Sequence, residues 1–181
     1  MRPLRGPDRA TPLGSFALRL SLSGLPGQGG SALKRARPWL AAAAIVVLDQ
    51  ATKAAALRML EMDGEAFPVI PGLLWFQLIL NTGAAFGLFQ SLGPLLALIS
   101  VILIYAGYKI IRHEEDPLLV WSLAPILGGA AGNLIDRVFR GGVVDFIKIP
   151  AWPLFNLADC AITAGTAGVI LYALMTRRRE E

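Results

Sequence analysis

Three aspartates, Asp136, Asp145 and Asp159, fall within 24 residues of one another toward the C-terminal end of the chain. Two carboxyl groups brought close together cannot both ionise readily. One keeps a proton while the other is a base, and that division of labour suits activation of a water for amide hydrolysis. The sequence holds few other tools, with one cysteine (Cys160) and one histidine (His113) among its 181 residues. It therefore offers no thiol dyad, no serine–histidine pair, no intrachain disulfide and no soft ligand set for zinc. No metal and no cofactor is expected. The same aspartates also fit the polar lining of a small carrier or membrane assembly factor, where they would bind protons or cations.

Other polar residues share helix faces with these or with one another. Asn133 and Asp136 are spaced i,i+3, as are Asn156 and Asp159, and Asp49 and Lys53 are i,i+4. A bundle can gather such pairs into one wet pocket. For Asp49 and Lys53 a second reading stands beside this one, a neutralised pair that merely orients the first helix. Cys160 has no base partner and reads as a small packing residue, and His113 reads as solvated.

The elements that position these groups follow from composition. AVILMFWYC residues make up 55% of the chain and charged residues only 17%, against roughly 25% charged in a soluble domain. A core built from so short a chain cannot hide that much apolar surface from water, so a lipid solvent is implied. The net charge of +4 is not a nucleic-acid signal. Residues 1–38 carry seven basic residues and one acid, whereas the remainder carries ten basic and twelve acidic ones. The basicity belongs to an N-terminal stretch rich in Gly, Pro, Ser and Arg, and residues 1–37 read as a disordered extension or as a misplaced start.

Spans of about 20 apolar residues cross a bilayer, and four are expected, over about 39–60, 92–111, 117–135 and 155–175. The uncharged stretch from Ala66 to Gln90 is not counted as a fifth. Pro68, Pro71 and Gly72 break its start, Asn81, Thr82, Gly83 and Gly87 break its end, and the alternation over Leu74–Leu80 suits short strands. Lys34, Arg35 and Arg37 at one end and Arg177, Arg178 and Arg179 at the other both belong on the cytoplasmic side, which an even number of spans satisfies. Residues 177–181 are then a cytoplasmic tail. The segment between the third and fourth spans is external in this topology yet carries Arg137, Arg140 and Lys148, so those cations need a reason other than topology.

Helical rise converts spacing into depth. Counted from Pro117 at the inner surface, Asp136 lies roughly 28 Å out, and Asp159 lies roughly 27 Å from Arg177. Depth alone thus pairs Asp136 with Asp159. Gly141 and Gly142 call for a turn, after which Val143–Ile149 returns as an extended piece and presents Asp145 beside the bundle mouth. Gly128, Gly129 and Gly132 permit close helix approach. Carriers place ionisable groups near the midplane, and most here lie near one face, which favours surface chemistry.

Five stretches over residues 38–176, namely DQATK (49–53), NTGAAFG (81–87), GGAAGNLIDR (128–137), VVDFI (143–147) and FNLAD (155–159), resemble the bacterial lipoprotein signal peptidases, also called signal peptidase II. The resemblance implies an all-α membrane protein of four transmembrane helices with a small extracytoplasmic β-cradle between the first two, over about residues 64–90. It implies an aspartic endopeptidase of the inner membrane that removes the signal peptide from diacylglyceryl-modified prolipoproteins by cleaving before the lipidated cysteine. Asp145 and Asp159 become the catalytic pair, and Asp136 a supporting residue. Asn81, Gly83, Asn133, Arg137 and Asn156 become substrate-binding or positioning groups. The implied partners are lipidated prolipoproteins and membrane lipid, with no nucleic acid. A monomer is expected, with both termini cytoplasmic and the site at the outer face. Trp75, Phe76, Phe86 and Phe89 fit an interfacial cradle or equally a buried core.

Overall fold

Seven elements follow one another as α1 (Gln28–Met59), β1 (Phe67–Ile70), β2 (Leu74–Asn81), α2 (Gly93–His113), α3 (Pro117–Arg140), β3 (Val143–Lys148) and α4 (Leu157–Glu180). The structure is a computed structural model that describes residues 28–83 and 93–180. Among the described residues, four segments are long and apolar enough to cross a membrane: Ala36–Met59, Gly93–His113, Pro117–Arg140 and Leu157–Arg177. Their number is the expected one. The first helix differs at its start. It begins at Gln28, so residues 28–37, expected to be disordered, are helical, and the rest of that extension lies outside the described residues. The segment Arg37–Glu181 is a compact unit of its own.

Helix α3 carries ten buried residues, from Ser122 to Asp136. It packs against both α2 and α4. Its small residues make this possible. A Cβ added at Gly128 would stand 2.7 Å from the Ala42 carbonyl oxygen of α1, so side chains there would push the two helices apart. Ile111 of α2 and Leu123 and Leu127 of α3 form a buried cluster, flanked by Trp39 and Val169. Outward-facing apolar side chains such as Val47, Ile102 and Leu171 are exposed, as a lipid-facing surface requires. Cys160 is also exposed, which corrects its reading as a packing residue.

The ends of α3 explain how the chain turns. Asp116 caps the start, accepting from the Leu118 amide at 2.8 Å, with Pro117 at the first helical position. Gly141 closes the end at φ 76°, a left-handed conformation that glycine adopts without the Cβ penalty. The chain then enters β3 in a few residues.

The three strands form one antiparallel sheet in the order β1-β2-β3. Phe67 pairs with Phe76, and Ile79 pairs with Asp145. A cradle made only between the first two spans is therefore incomplete, because its third strand arrives from between α3 and α4. Leu78, Val144 and Phe146 of the sheet bury against Ala56 of α1, with Phe76 packed on the same cluster. Phe76 thus joins a core. Trp75 instead lines a groove of about 630 Å³ with Lys148 and Trp152. Phe86 and Phe89 lie outside the described residues.

Candidate active site

Asp159 sits in the first turn of α4. The residue before the helix, Asn156, accepts the Asp159 amide on its side-chain oxygen at 3.0 Å, while the Asp159 carboxylate accepts the Asn156 amide at 3.2 Å. This reciprocal arrangement is a capping box, with aspartate in the place that glutamate often takes. The i,i+3 relation of these two residues therefore comes from a cap and not from a shared helix face. A helix N-terminus also favours a negative charge. The other carboxylate oxygen, Oδ1, accepts the side-chain amide of Asn133 from α3 at 2.8 Å.

Asp145 reaches the same end of the bundle on β3. Its side chain is 2% exposed. Oδ2 accepts the Asn81 side-chain amide of β2 at 2.9 Å, and Oδ1 accepts that of Asn156 at 2.7 Å. Burial pushes its carboxyl up to about 6; the Asn81 bond pulls the other way, and the nearby Asp159 charge adds to the upward push. Two carboxylates from different elements are therefore near enough for the charge of Asp159 to act on Asp145.

Each of the three amides is locked in one orientation by what its oxygen accepts. Asn81 Oδ1 accepts the Gly83 amide at 3.1 Å. Asn133 Oδ1 accepts the Lys53 ammonium at 2.9 Å and Asn156 Nδ2 at 3.2 Å. Asn156 Oδ1 is held by the Asp159 amide, as above. With the oxygens engaged, the NH2 groups must turn toward the carboxylates. All four carboxylate oxygens of Asp145 and Asp159 thus accept hydrogen bonds, while Asp159 remains part-exposed.

Beneath the pair lies a buried ionic layer. Lys53 is fully buried and bonds Asp49 at 2.8 Å and Asp136 at 2.7 Å. Asp136 also takes Arg140, Gln50 at 3.1 Å and the Val144 amide at 3.2 Å. Asp49 accepts the Ala158 amide at the start of α4 at 3.0 Å. Asp136 therefore has no exposed surface and its oxygens are committed to internal donors. Depth arithmetic, which pairs it with Asp159, is corrected on this point: two residues can share a level while one is sealed by counter-charges. The layer likewise occupies the polar groups that a carrier would offer to an ion.

Gln50 and Arg140 are members of this layer that motif reading passed over. Their signals were present, since Gln50 interrupts the first apolar span beside Asp49 and Arg140 is one of the cations that topology left unexplained. Arg140 also donates to Gln50 Oε1 at 2.9 Å. Lys148 donates to Gln77 Oε1 of β2 at 2.8 Å, stitching the sheet. Arg137 is half-buried, with Asp159, Asp145 and Asp136 as its charged neighbours. Among the described residues it makes no ion pair. His113 is exposed at the far end of α2.

A multi-pass membrane protein whose four helices and small sheet converge on two amide-held carboxylates is the class these elements define. A family model described as "Signal peptidase (SPase) II" matches residues 41–175, and the chain belongs to that family of proteases. Its similarity to the lipoprotein signal peptidase of Pelotomaculum thermopropionicum is 44% identity, over 74% of this chain and 88% of that one. The lipoprotein signal peptidase of Syntrophomonas wolfei is 40% identical, over 80% of this chain and 97% of that one. Two solved structures, each described as a bacterial membrane enzyme, superpose with TM-scores of 0.75 and 0.70 at 28% and 30% identity. They cover 80% and 76% of this chain and 92% of each of theirs. The carrier and assembly-factor readings are not favoured by that membership.

Proposed function

We propose that this protein removes the signal peptide from diacylglyceryl-modified prolipoproteins, cleaving before the lipidated cysteine, with Asp145 and Asp159 as an aspartic catalytic pair. The observation that carries the pair is the set of three locked amides of Asn81, Asn133 and Asn156, all donating to these two side chains and, among the described residues, to no other carboxylate. In the reaction, a water held between the carboxyls loses a proton to the ionised one as its oxygen attacks the scissile carbonyl carbon. The protonated one then gives its proton to the leaving amine as the tetrahedral intermediate collapses. Arg137, with a guanidinium unpaired among the described residues, holds a substrate carbonyl or the developing oxyanion.

The protein lies in the inner membrane as a monomer, with both termini cytoplasmic and the pair at the outer face. What supports that orientation is the gathering of Asp145, Asp159 and the sheet at one end of the bundle and of Arg177 at the other. Acyl chains of the substrate then stay in the bilayer while the bond to be cut lies at its boundary.

The test is cleavage in vitro of a diacylglyceryl-modified peptide alongside its unmodified twin. Only the modified peptide is expected to be cut. Asp145→Asn and Asp159→Asn are each expected to insert normally and to lower kcat by about 10²–10⁴. Wild-type cleavage by either variant removes the aspartic assignment.

A further inference from the structure

The Lys53 ammonium spends all its hydrogen-bonding capacity on three acceptors, Asp49, Asp136 and the side-chain oxygen of Asn133, at 2.8, 2.7 and 2.9 Å. A lysine that only neutralised its i,i+4 partner on α1 would need one of these contacts. The other two run into α3, and each leads on to one carboxylate of the pair. Through Asn133 the path ends at Asp159 Oδ1, 2.8 Å from the Asn133 amide nitrogen. Through Asp136 it passes to the Val144 amide at 3.2 Å, which fixes the backbone immediately before Asp145.

We infer that Lys53 is a positioning residue for both carboxylates, orienting Asp159 through Asn133 and Asp145 through Asp136 and the start of β3. The inference rests on the reading of Asp145 and Asp159 as the catalytic pair. Its physical basis is the amide orientation of Asn133. The Lys53 ammonium and the Asn156 amide both point at Asn133 Oδ1, so the NH2 group has one direction left, toward Asp159. Without the ammonium the stronger, charge-assisted contact is lost, and a flipped amide would set an oxygen against the Asp159 carboxylate. Lys53 is fully buried, so it acts only through these neighbours. Its other charged neighbours within the layer, Arg140 on Asp136 and Asp49 on its own helix, leave a balanced set when Lys53 and Asp49 are removed together.

That balance gives the experiment. Lys53→Met alone strands the Asp49 charge, so it is paired with Asp49→Asn, whose oxygen still accepts the Ala158 amide. The double variant is expected to insert and to melt within a few degrees of wild type. On the diacylglyceryl-modified peptide its KM stays within about threefold while kcat falls at least about 30-fold. Adding Asn133→Ala should lower kcat by less than about threefold more, because the hold on Asp159 is already gone. Wild-type kcat in the double variant overturns the inference, as does a full additional loss on adding Asn133→Ala. Failure of the double variant to insert also overturns it, since the ammonium would then be needed for the fold itself. Asp145→Asn and Asp159→Asn run in parallel. If they keep activity the catalytic reading fails, whereas their loss beside an active double variant sinks only the role given to Lys53.

Discussion

Asn156 donates to Asp145 at 2.7 Å while its oxygen caps the helix that carries Asp159. One side chain thus ties the strand bearing one carboxylate to the helix bearing the other. The two functions of Asn156 are separable by substitution. Asn156→Ala removes cap and tie together, and is expected to cost about 1 kcal/mol of stability and about 10² in kcat. Asn156→Ser keeps a capping oxygen. It should restore the melting temperature and leave kcat low, a split that thermal unfolding in detergent and peptide cleavage would read.

The pH profile follows from Asp145. Its carboxyl is raised to about 6, so it is protonated below that value and ionised above it. If the shared proton sits there, kcat/KM falls as pH rises through about 6. The Asn81 amide favours the ionised form, so Asn81→Ala should move this limb to higher pH. A rate flat from pH 4 to about 9 would exclude carboxyl-pair chemistry.

Asp136 separates stability from chemistry. Asp136→Asn breaks its buried pairing with Lys53 and Arg140, a change that costs about 3–5 kcal/mol where a buried charge loses its partner. The melting temperature is expected to drop sharply. Activity per folded molecule should nonetheless exceed that of Asp145→Asn or Asp159→Asn by at least about tenfold. Equal loss in all three would return Asp136 to the catalytic set.

Gly132 is a packing test of the same layer. A Cβ there would stand 2.5 Å from Asp49 Oδ2, and that carboxylate is tethered by Lys53 and by the Ala158 amide, so it cannot yield. Gly132→Ala is expected to destabilise by about 1–3 kcal/mol. A melting temperature equal to wild type would mean the layer has slack that its hydrogen bonds do not suggest.

Much of this was legible along the chain. The four spans announce themselves because apolar length is a local property, and Pro68, Pro71 and Gly72 with the alternation over Leu74–Leu80 mark strands in place of a fifth helix. Gly141 and Gly142 mark the turn that starts β3, and the cations at Arg140 and Lys148 flag work other than topology. The early start of α1 at Gln28 was hidden, since Gly and Ser beside it argue for coil. Exposure of Cys160 was also out of reach, because one residue's facing direction depends on how the whole helix is rolled.

Sequence by itself determined the solvent, the number of crossings, the carboxylate-rich mouth and the poverty of other catalytic groups. These rest on composition and on spacing within single elements, where rise per residue is fixed. Tertiary structure decided which aspartates are sealed by counter-charges. Asp136 and Asp159 share a depth by helical rise, but only the folded chain brings Lys53, Arg140 and the Val144 amide onto Asp136 and the uncharged amides of Asn81 and Asn156 onto Asp145. The reason is that β3 finds its place by pairing with β2, 64 residues earlier where Asn81 meets Asp145, and a non-local pairing has no periodicity to read.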